Sequence, residues 1–217
     1  MTSIFEANGK QTACTIIEAA PNTVTQIKTQ ETDGYTAVQL GFGDKKEKHT
    51  TKPVMGQMKK ASSGPKRLIR EFRVSTEVAG KYEVGAVLAA ADIFTEGQLV
   101  DITSKTKGKG YAGVIRRWGF HGMPATHGHH EFYRHGGSIG NREFPGRVFK
   151  NRKMAGQLGN EQITVQNVRV AKVIADKNLV LVHGAVAGGP DSFIALYPAV
   201  KKKKAPGIAA APTKAKK

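Results

Sequence analysis

The residues best suited to chemistry in this sequence lie between Lys105 and Lys153, where a glycine motif is followed by a histidine cluster. The motif, GKGYAG at 108–113, matches G-x-G-x-x-G. That pattern binds a dinucleotide when a strand precedes it, a helix opens at its last glycine and an acidic residue follows roughly 20 positions on. The histidine cluster includes HGHH at 127–130, which could hold a metal ion. The two patterns raise the hypothesis of an enzyme that uses a nucleotide or a metal.

The surroundings of GKGYAG favour a polynucleotide over a dinucleotide. The strand-like QLVDITS precedes the motif, but three lysines crowd the turn, no βαβ alternation follows, and Glu131 is the only acidic residue near the expected ribose position. Glycines let a backbone approach a sugar-phosphate chain closely, and the alternating lysines would neutralise its phosphates. We therefore predict phosphate contacts from Lys105, Lys107 and Lys109.

The histidines lack the partners of a typical metal site. Zinc requires about four ligands in fixed geometry with supporting hydrogen bonds, and neither cysteines nor well-placed carboxylates lie nearby. Imidazoles that stack on bases or bond to phosphates and sugar hydroxyls fit the basic neighbourhood better, although solvated loop histidines remain an alternative. We predict no metal or other cofactor and assign RNA contacts to the histidines His121, His127, His129, His130 and His135.

Aromatic residues are interleaved with cations in the same stretch, as is typical of proteins that stack unpaired RNA bases. An alternative for some of these rings is packing against one another. No Ser-His-Asp order or carboxylate pair indicates catalysis, so we predict that the protein is not an enzyme and has no small-molecule substrate. The further predicted RNA contacts are Arg116, Arg117, Trp118, Arg134, Arg142, Arg147, Lys150, Arg152 and Lys153, with Lys59, Lys60, Lys66 and Arg67 from an earlier basic stretch.

The net charge of +17 is concentrated in three segments. Residues 105–153 carry eleven Lys or Arg against two Glu, the basic segment 45–70 carries nine against Glu47, and residues 201–217 carry seven lysines and no acid. The rest of the chain has a net charge of −7. Basic arms on a mildly acidic body indicate a polyanionic partner.

The organisation along the chain predicts a mainly β protein. Short Val, Ile and Thr-rich segments separated by turn residues favour a closed or nearly closed β-barrel. We predict a first barrel part at 1–103 that includes a basic loop at 44–70, and a second part at 157–200 with a bulge or bend between residues 165 and 173. Between the two parts lies a glycine-rich extension (residues 104–156), and a lysine-rich tail follows at 201–217.

The extension has few aliphatic residues and no apolar periodicity of its own. Within it, YAGVIRRW predicts a short helix that ends near Arg116 and Arg117. The segment cannot bury enough apolar surface to offset its backbone entropy, so we expect it to order only against a partner. The stretch 43–65 is a smaller case of the same kind.

Composition predicts the compartment. The single cysteine, Cys14, lies in an apolar run and cannot form an intramolecular disulfide, which fits a reducing environment. No apolar run approaches the roughly 20 residues of a membrane span, and the N-terminus lacks the basic-then-apolar order of a secretion signal. We expect a cytoplasmic protein without a membrane partner.

Many ordered motifs resemble the L-three family of large-subunit ribosomal proteins in its bacterial form. These are MTSIF, NTVTQIKT, DGYTAVQLGFG, TKP, DITSKTKGKGYAGVIRRWGF, ATHG, GSIGNREFPGRVFKNRKMAGQLGNEQITVQ and NLVLVHGAVAGG, which together extend over nearly the whole chain. The resemblance implies a translation-type β-barrel with a central extension that threads through 23S rRNA toward the peptidyl transferase centre. It also implies early binding near the rRNA 3′ end, nucleation of subunit assembly, and L-fourteen and L-nineteen as neighbours.

The resemblance places the tip of the extension at Asn141, Arg142, Glu143 and Phe144. Many bacterial relatives have a methylated glutamine where this chain has Glu143, so we do not expect that modification here. A carboxylate near RNA would need a cation such as Arg142, or a bound metal ion, to offset repulsion. The family usually begins with a short Gly-Lys-rich strand before MTSIF, so we expect a shortened start or one strand fewer.

The leading hypothesis is a structural rRNA-binding protein whose arms act as counterions between RNA helices. An enzyme that uses a nucleotide at GKGYAG or a metal at the histidines is the rival from another class. A general nucleic-acid chaperone without a fixed site is the third alternative.

Overall fold

The computed structural model describes residues 1–6, 8–19 and 21–201. The predicted lysine tail lies outside these residues from position 202 onward. The chain divides into two compact units. Among the described residues, 1–100, 167–185 and 198–201 form the first unit, and Asp101–Gln166 with Val186–Tyr197 form the second.

Strands dominate the described secondary structure. They are β1 (Thr2–Phe5), β2 (Gln11–Glu18), β3 (Asn22–Lys28), β4 (Ala37–Asp44), β5 (Lys66–Arg73), β6 (Val87–Leu88), β7 (Leu99–Lys105), β8 (Tyr111–Ala112), β9 (Gly156–Gln157), β10 (Gln162–Ile174), β11 (Leu179–His183) and β12 (Ile194–Pro198). The α-helices are α1 (Gln30–Asp33), α2 (Lys52–Lys60), α3 (Thr76–Ala79), α4 (Ala90–Ile93) and α5 (Val114–Trp118), with 3₁₀ turns at Glu47–His49, His130–Arg134 and Ala175–Lys177.

The strands form three sheets. Their orders are β1-β2-β11-β10-β7-β12, β5-β4-β3-β6 and β8-β9. The pairings of β2 with β1 and β11, and of β4 with β3 and β5, are antiparallel. The mainly β character predicted from the sequence is therefore confirmed.

In the first unit, β2, β10 and β11 bury small and β-branched side chains. Cys14, Val170, Val180 and Val182 are all fully buried. The register of β10 against β11 shifts between Val170 and Lys172, so the bulge predicted for this stretch is present. The 3₁₀ turn before β11 ends at Asn178, which adopts the left-handed conformation that asparagine tolerates.

The second sheet of this unit has its own core, and α2 is anchored to it by a glutamine. Val24, Val38 and Ala79 form the buried centre, with partly buried aliphatic and aromatic side chains around them. The Gln57 amide nitrogen on α2 donates hydrogen bonds to the Gln39 side-chain oxygen at 2.6 Å and to the Gln26 side-chain oxygen at 3.1 Å. Helix α2 is thereby tied to β3 and β4.

A carboxylate network continues from Gln39 across β5. Glu71 accepts hydrogen bonds from the Tyr35 hydroxyl at 2.7 Å and from the Gln39 amide at 3.1 Å. These two donors hold the pKa of Glu71 below its usual value of 4.5. The same bond raises the pKa of Tyr35, because the neighbouring carboxylate disfavours the phenolate.

This network predicts an acid-sensitive contribution to stability. The pKa of Glu71 is depressed in the folded state, so its stabilisation is fully present above about pH 4.5 and is lost as the pH falls through the folded-state pKa. We expect the free energy of unfolding, measured by urea denaturation across acidic pH, to fall less steeply in Glu71→Gln than in the unsubstituted protein.

Tyr35→Phe is the matched control for this prediction, because it keeps the carboxylate and removes its strongest donor. It should give an intermediate slope, since the pKa of Glu71 would move back toward 4.5. Asp33, whose pKa the hydrogen bond from Lys28 lowers, adds its own acid-sensitive contribution in all three proteins. The same pH dependence of the free energy of unfolding in all three proteins would contradict the assignment of this acid sensitivity to Glu71.

Two expectations about the strands and the basic segment were wrong. The sheets are open and the described residues form no closed barrel, because the ladders end at edge strands such as β1 and β6, which have four and two residues. The predicted basic loop at 44–70 contains α2 and the start of β5, because burial of Met58 and the Gln57 bonds offset the ordering entropy.

In the second unit, β7 is buried and connected on both sides. Ile102 is fully buried, the Thr103 and Thr164 hydroxyls are 2.8 Å apart, and the Ser104 hydroxyl donates to the Ala187 carbonyl at 2.8 Å. These contacts fix the strand from which the extension departs. No helix in the described part of the chain is long and apolar enough to cross a membrane.

Candidate nucleic-acid interface

The base of the extension is a paired backbone ladder. Its two sides are residues 106–112 and 156–161. The Lys109 amide donates to the Leu158 carbonyl and the Leu158 amide to the Gly110 carbonyl, each at 2.9 Å. Tyr111 and Ala112 pair with Gln157 and Gly156 in antiparallel register. This part of the extension therefore has an ordered structure of its own, contrary to the expectation that the whole segment orders only against a partner.

One glycine allows the two sides of the ladder to approach. Gly159 has φ of +73°, and a Cβ atom there would lie 2.0 Å from the Lys107 carbonyl oxygen. Both the left-handed backbone and the close approach exclude a side chain at this position.

Helix α5 is hydrogen-bonded to the returning side of the extension just beyond the ladder. The Arg117 Nη1 atom and the Trp118 indole Nε1 atom both donate to the Met154 carbonyl, at 3.0 and 2.8 Å. The Arg117 guanidinium lies 4.8 Å and the Lys153 ammonium 5.6 Å from the Trp118 ring centre. The predicted helix is confirmed. Arg117 and Trp118 hold it against the returning chain by their hydrogen bonds to the Met154 carbonyl.

The distal half of the extension is held by few contacts. The Met123 amide donates to the Tyr133 carbonyl at 2.9 Å, and the Arg152 guanidinium bonds to the Ser138 carbonyl. The glycine-rich loop 137–148 borders an open surface pocket of about 580 Å³. Arg142 and Arg147 are among the residues that line it. The backbone here is mostly irregular, which agrees with the lack of apolar periodicity in the sequence.

The cations of the extension are exposed and lack carboxylate partners. Of the eleven Lys and Arg side chains between residues 105 and 153, Arg117 alone is half-buried and the others are exposed. No carboxylate of the described residues lies within 4.0 Å of any of them, since the ion pairs found are Lys28–Asp33 and Lys66–Asp44. The charge is therefore available to an external polyanion.

The histidines are distributed along the same surface. His129 is half-buried, and His121, His127, His130 and His135 are exposed. The His135 ring lies 4.8 Å from the Phe132 ring. No three His, Cys, Asp or Glu side chains among the described residues are grouped to hold a metal ion.

The predicted contacts of the basic segment lie in the first unit. Lys59 and Lys60 are exposed in the last turn of α2, and Arg67 is exposed on β5. Lys66 differs, because its ammonium lies 2.9 Å from an Asp44 carboxylate oxygen. This ion pair reduces the charge that Lys66 could offer to a phosphate.

The predicted tip is fully accessible. Asn141, Arg142, Glu143 and Phe144 are all exposed, and Phe144 is 88% exposed. The predicted tip residues are therefore available to a partner, with Phe144 offering a largely exposed ring.

The GKGYAG motif does not have the geometry of a dinucleotide site. Tyr111 and Ala112 within the motif form β8, and the helix that follows, α5, has five residues. A dinucleotide fold requires a strand that leads directly into a crossover helix. The glycines serve the ladder instead, since Gly110 has φ of +69°.

Sequence reasoning missed the residues that shape the base of the extension. Tyr111 is 79% exposed and was not singled out, although its position among glycines and lysines was a signal. The role of the Met154 carbonyl and the close approach at Gly159 carry no sequence signal. Both depend on pairing of chain segments that are 36 and 52 residues apart in the sequence.

Comparison with known proteins gives consistent results. The family model described as ribosomal protein L3 matches residues 67–180, which is more than half of the chain. The large ribosomal subunit protein uL3 of Sorangium cellulosum is 44% identical over 208 residues, covering 96% of this chain and 89% of its own length. The proteins of the same name from Dichelobacter nodosus and Salinibacter ruber are 45% and 44% identical, and they cover 93% and 91% of this chain and 94% of their own lengths.

Proposed function

The chain belongs to the ribosomal protein L3 family, and from this membership we propose that it binds 23S rRNA through its extension and its basic segment. As a member of the family it is a structural constituent of the large ribosomal subunit, in the cytoplasm of bacteria, and not an enzyme.

The observation that carries the proposal is the set of exposed, unpaired cations on the extension. Ten of the eleven Lys and Arg side chains between residues 105 and 153 are exposed, and none has a carboxylate partner among the described residues. RNA phosphates would replace the missing counterions, and the release of ions from the RNA would favour binding. The cations then act as spacers that let RNA helices approach one another.

The finer parts of the proposal concern assembly and position. We infer early binding near the 3′ end of the rRNA, nucleation of subunit assembly, and an extension whose tip, Asn141–Phe144, points toward the peptidyl transferase centre. L-fourteen and L-nineteen are the proposed protein neighbours. The exposure of the tip residues supports this inference, because their side chains, including the Phe144 ring, are free to contact RNA outside the chain.

The proposal predicts specific, salt-dependent binding. The purified protein should bind 23S rRNA more tightly than unrelated RNA of equal length, and the logarithm of the affinity should fall steeply and linearly with the logarithm of salt concentration. Filter binding across a salt series, with the unrelated RNA as competitor, measures both quantities. Equal competition by the two RNAs would indicate a general chaperone instead.

A point substitution tests whether binding is distributed over many contacts. Arg116 is exposed and precedes Arg117, and the bonds to the Met154 carbonyl come from Arg117 and Trp118. Arg116→Gln should weaken binding only a few-fold and reduce the salt slope by about one contact. Complete loss of binding from this one change would contradict a distributed interface.

A further inference from the structure

Tyr111 presents a large ring on a rigid part of the extension. The side chain is 79% exposed, and the next residue, Ala112, is 4% exposed. Neighbouring residues of a strand point to opposite faces, so the burial of Ala112 fixes the outward direction of Tyr111. The ladder bonds of Lys109 and Gly110 to Leu158 hold the backbone on which the ring stands.

Other aromatic rings of the extension are already in contact with cations. Arg117 lies 4.8 Å from the centre of the Trp118 ring, Arg134 lies 4.9 Å from that of Tyr133, and Arg147 lies 5.9 Å from that of Phe149. Among the described residues, no side-chain hydrogen bond, cation or ring contact involves the Tyr111 ring. Phe144 is similarly exposed, but it lies in an irregular loop outside the paired strands.

The surroundings of Tyr111 match an RNA base better than a protein surface. Lys107 and Lys109 are exposed just before it and have no carboxylate partner in the described part of the chain. A rigid ring beside cations favours a ligand that has a flat apolar face and flanking negative charge. An unpaired nucleobase with its two phosphates has both features.

We propose that Tyr111 is a stacking platform for an unpaired RNA base, with Lys107 and Lys109 on the adjacent phosphates. The inference rests on the proposed rRNA binding and adds a base-recognising residue to it. Trp118, which the sequence favoured for this role, has its indole N–H bonded to Met154 and is flanked by two cations. The structure assigns stacking to Tyr111 because the ring is both held and uncovered.

The test separates base stacking from phosphate binding. The full chain is titrated with an oligoadenylate of about 12 nucleotides, within the usual single-strand site sizes, and with an abasic oligomer of equal length and charge. Tyr111→Ala should weaken binding of the oligoadenylate by about tenfold, leave the salt slope unchanged and leave abasic binding unchanged. Tyr111→Phe should bind like the unsubstituted protein, because it keeps the ring.

Two controls complete the experiment. Lys109→Gln should lower the salt slope by about one contact with both oligomers, which Tyr111→Ala should not. Phe5→Ala removes a ring of similar exposure, 73%, from β1 in the first unit and should change neither affinity. Unchanged melting temperatures would show that the variants fold, as expected for side chains this exposed.

The possible outcomes distinguish a failure of base stacking at Tyr111 from a failure of the proposed rRNA binding. If Tyr111→Ala binds the oligoadenylate as tightly as the unsubstituted protein, or if that protein binds both oligomers equally, stacking at Tyr111 is overturned while rRNA binding stands. In the first case the exposed ring would be left to a protein neighbour. If the unsubstituted protein fails to prefer 23S rRNA in the competition assay, the proposed function itself fails.

Discussion

Removal of residues 113–155 should reduce the affinity of the protein for 23S rRNA by at least about 100-fold at low salt, and should lower the salt slope by up to about 7. The deleted stretch contains eight of the eleven extension cations and both of its acidic residues. Each phosphate contact contributes about 0.7–0.9 to the slope, so the loss follows from the number of contacts. Filter binding across a salt series measures both effects.

The deletion can be made without disturbing the base of the extension. Ala112 and Gly156 face each other in the ladder, so a two-residue Asn-Gly turn can join them as a hairpin. The bonds between Lys109, Gly110 and Leu158 then remain, and hydrogen exchange at Leu158 checks that they do. The three lysines before Tyr111 also remain, so residual binding is expected.

A full-length variant separates charge from shape. Replacing six of the eight cations by glutamine keeps the length of the extension and leaves the internal bonds of Arg117 and Arg152 in place. The substituted residues are Arg116, Arg134, Arg142, Arg147, Lys150 and Lys153. This variant should lower the salt slope by about three quarters of the decrease caused by the deletion. A slope equal to that of the unsubstituted protein in both variants would remove the extension from the account of binding.

Gly159→Ala should open the base of the extension and cost at least about 2 kcal/mol of local stability. The new Cβ would lie 2.0 Å from the Lys107 carbonyl oxygen and 3.0 Å from its carbonyl carbon, and both are backbone atoms that no rotamer change can move. The positive φ of 73° adds strain for any L side chain. Hydrogen exchange at Lys109 and Leu158, whose amides close the ladder, should become markedly faster.

Two neighbouring glycines provide graded controls. Gly110 has φ of +69° but open space around its Cβ position, so Gly110→Ala should cost about 1 kcal/mol. Gly108 has no positive φ, and its nearest contact, the Asn160 Cβ, is an ordinary 3.6 Å away, so Gly108→Ala should be close to neutral. Equal protection of the Leu158 amide from hydrogen exchange in all three variants would show that the ladder does not depend on the close approach of Gly159 to Lys107.

The proposed interface was inferred from composition within short segments. The concentration of cations, glycines and aromatic residues between 105 and 153 indicates RNA binding without knowledge of any contact. The strands β2, β3, β4, β7, β10 and β11 also follow from local patterns of Val, Ile and Thr and from turn residues such as Asn178. The short helix before Gly119 was predicted in the same way.

Sequence reasoning failed where a long-range contact outweighs local composition. The segment around α2 appears too polar to order, yet Gln57 bonds to Gln39 and Gln26, which lie 18 and 31 residues away. The hydrogen bonds of Arg117 and Trp118 to the Met154 carbonyl, 37 and 36 residues away, were likewise not visible in the sequence. Such pairings involve donors and acceptors that are equally common in loops, so a local pattern cannot reveal them.

The sequence alone determined that this protein is a β-rich member of a ribosomal family with cationic arms, since charge, glycine content and residue order are properties of the chain itself. Only the tertiary structure decided that the sheets are open, that the extension has a paired base, and that Tyr111 is left uncovered while Trp118 is engaged. These features depend on which backbone groups meet after folding, because a side chain is available to RNA only when the protein has not already used its hydrogen bonds and its surface.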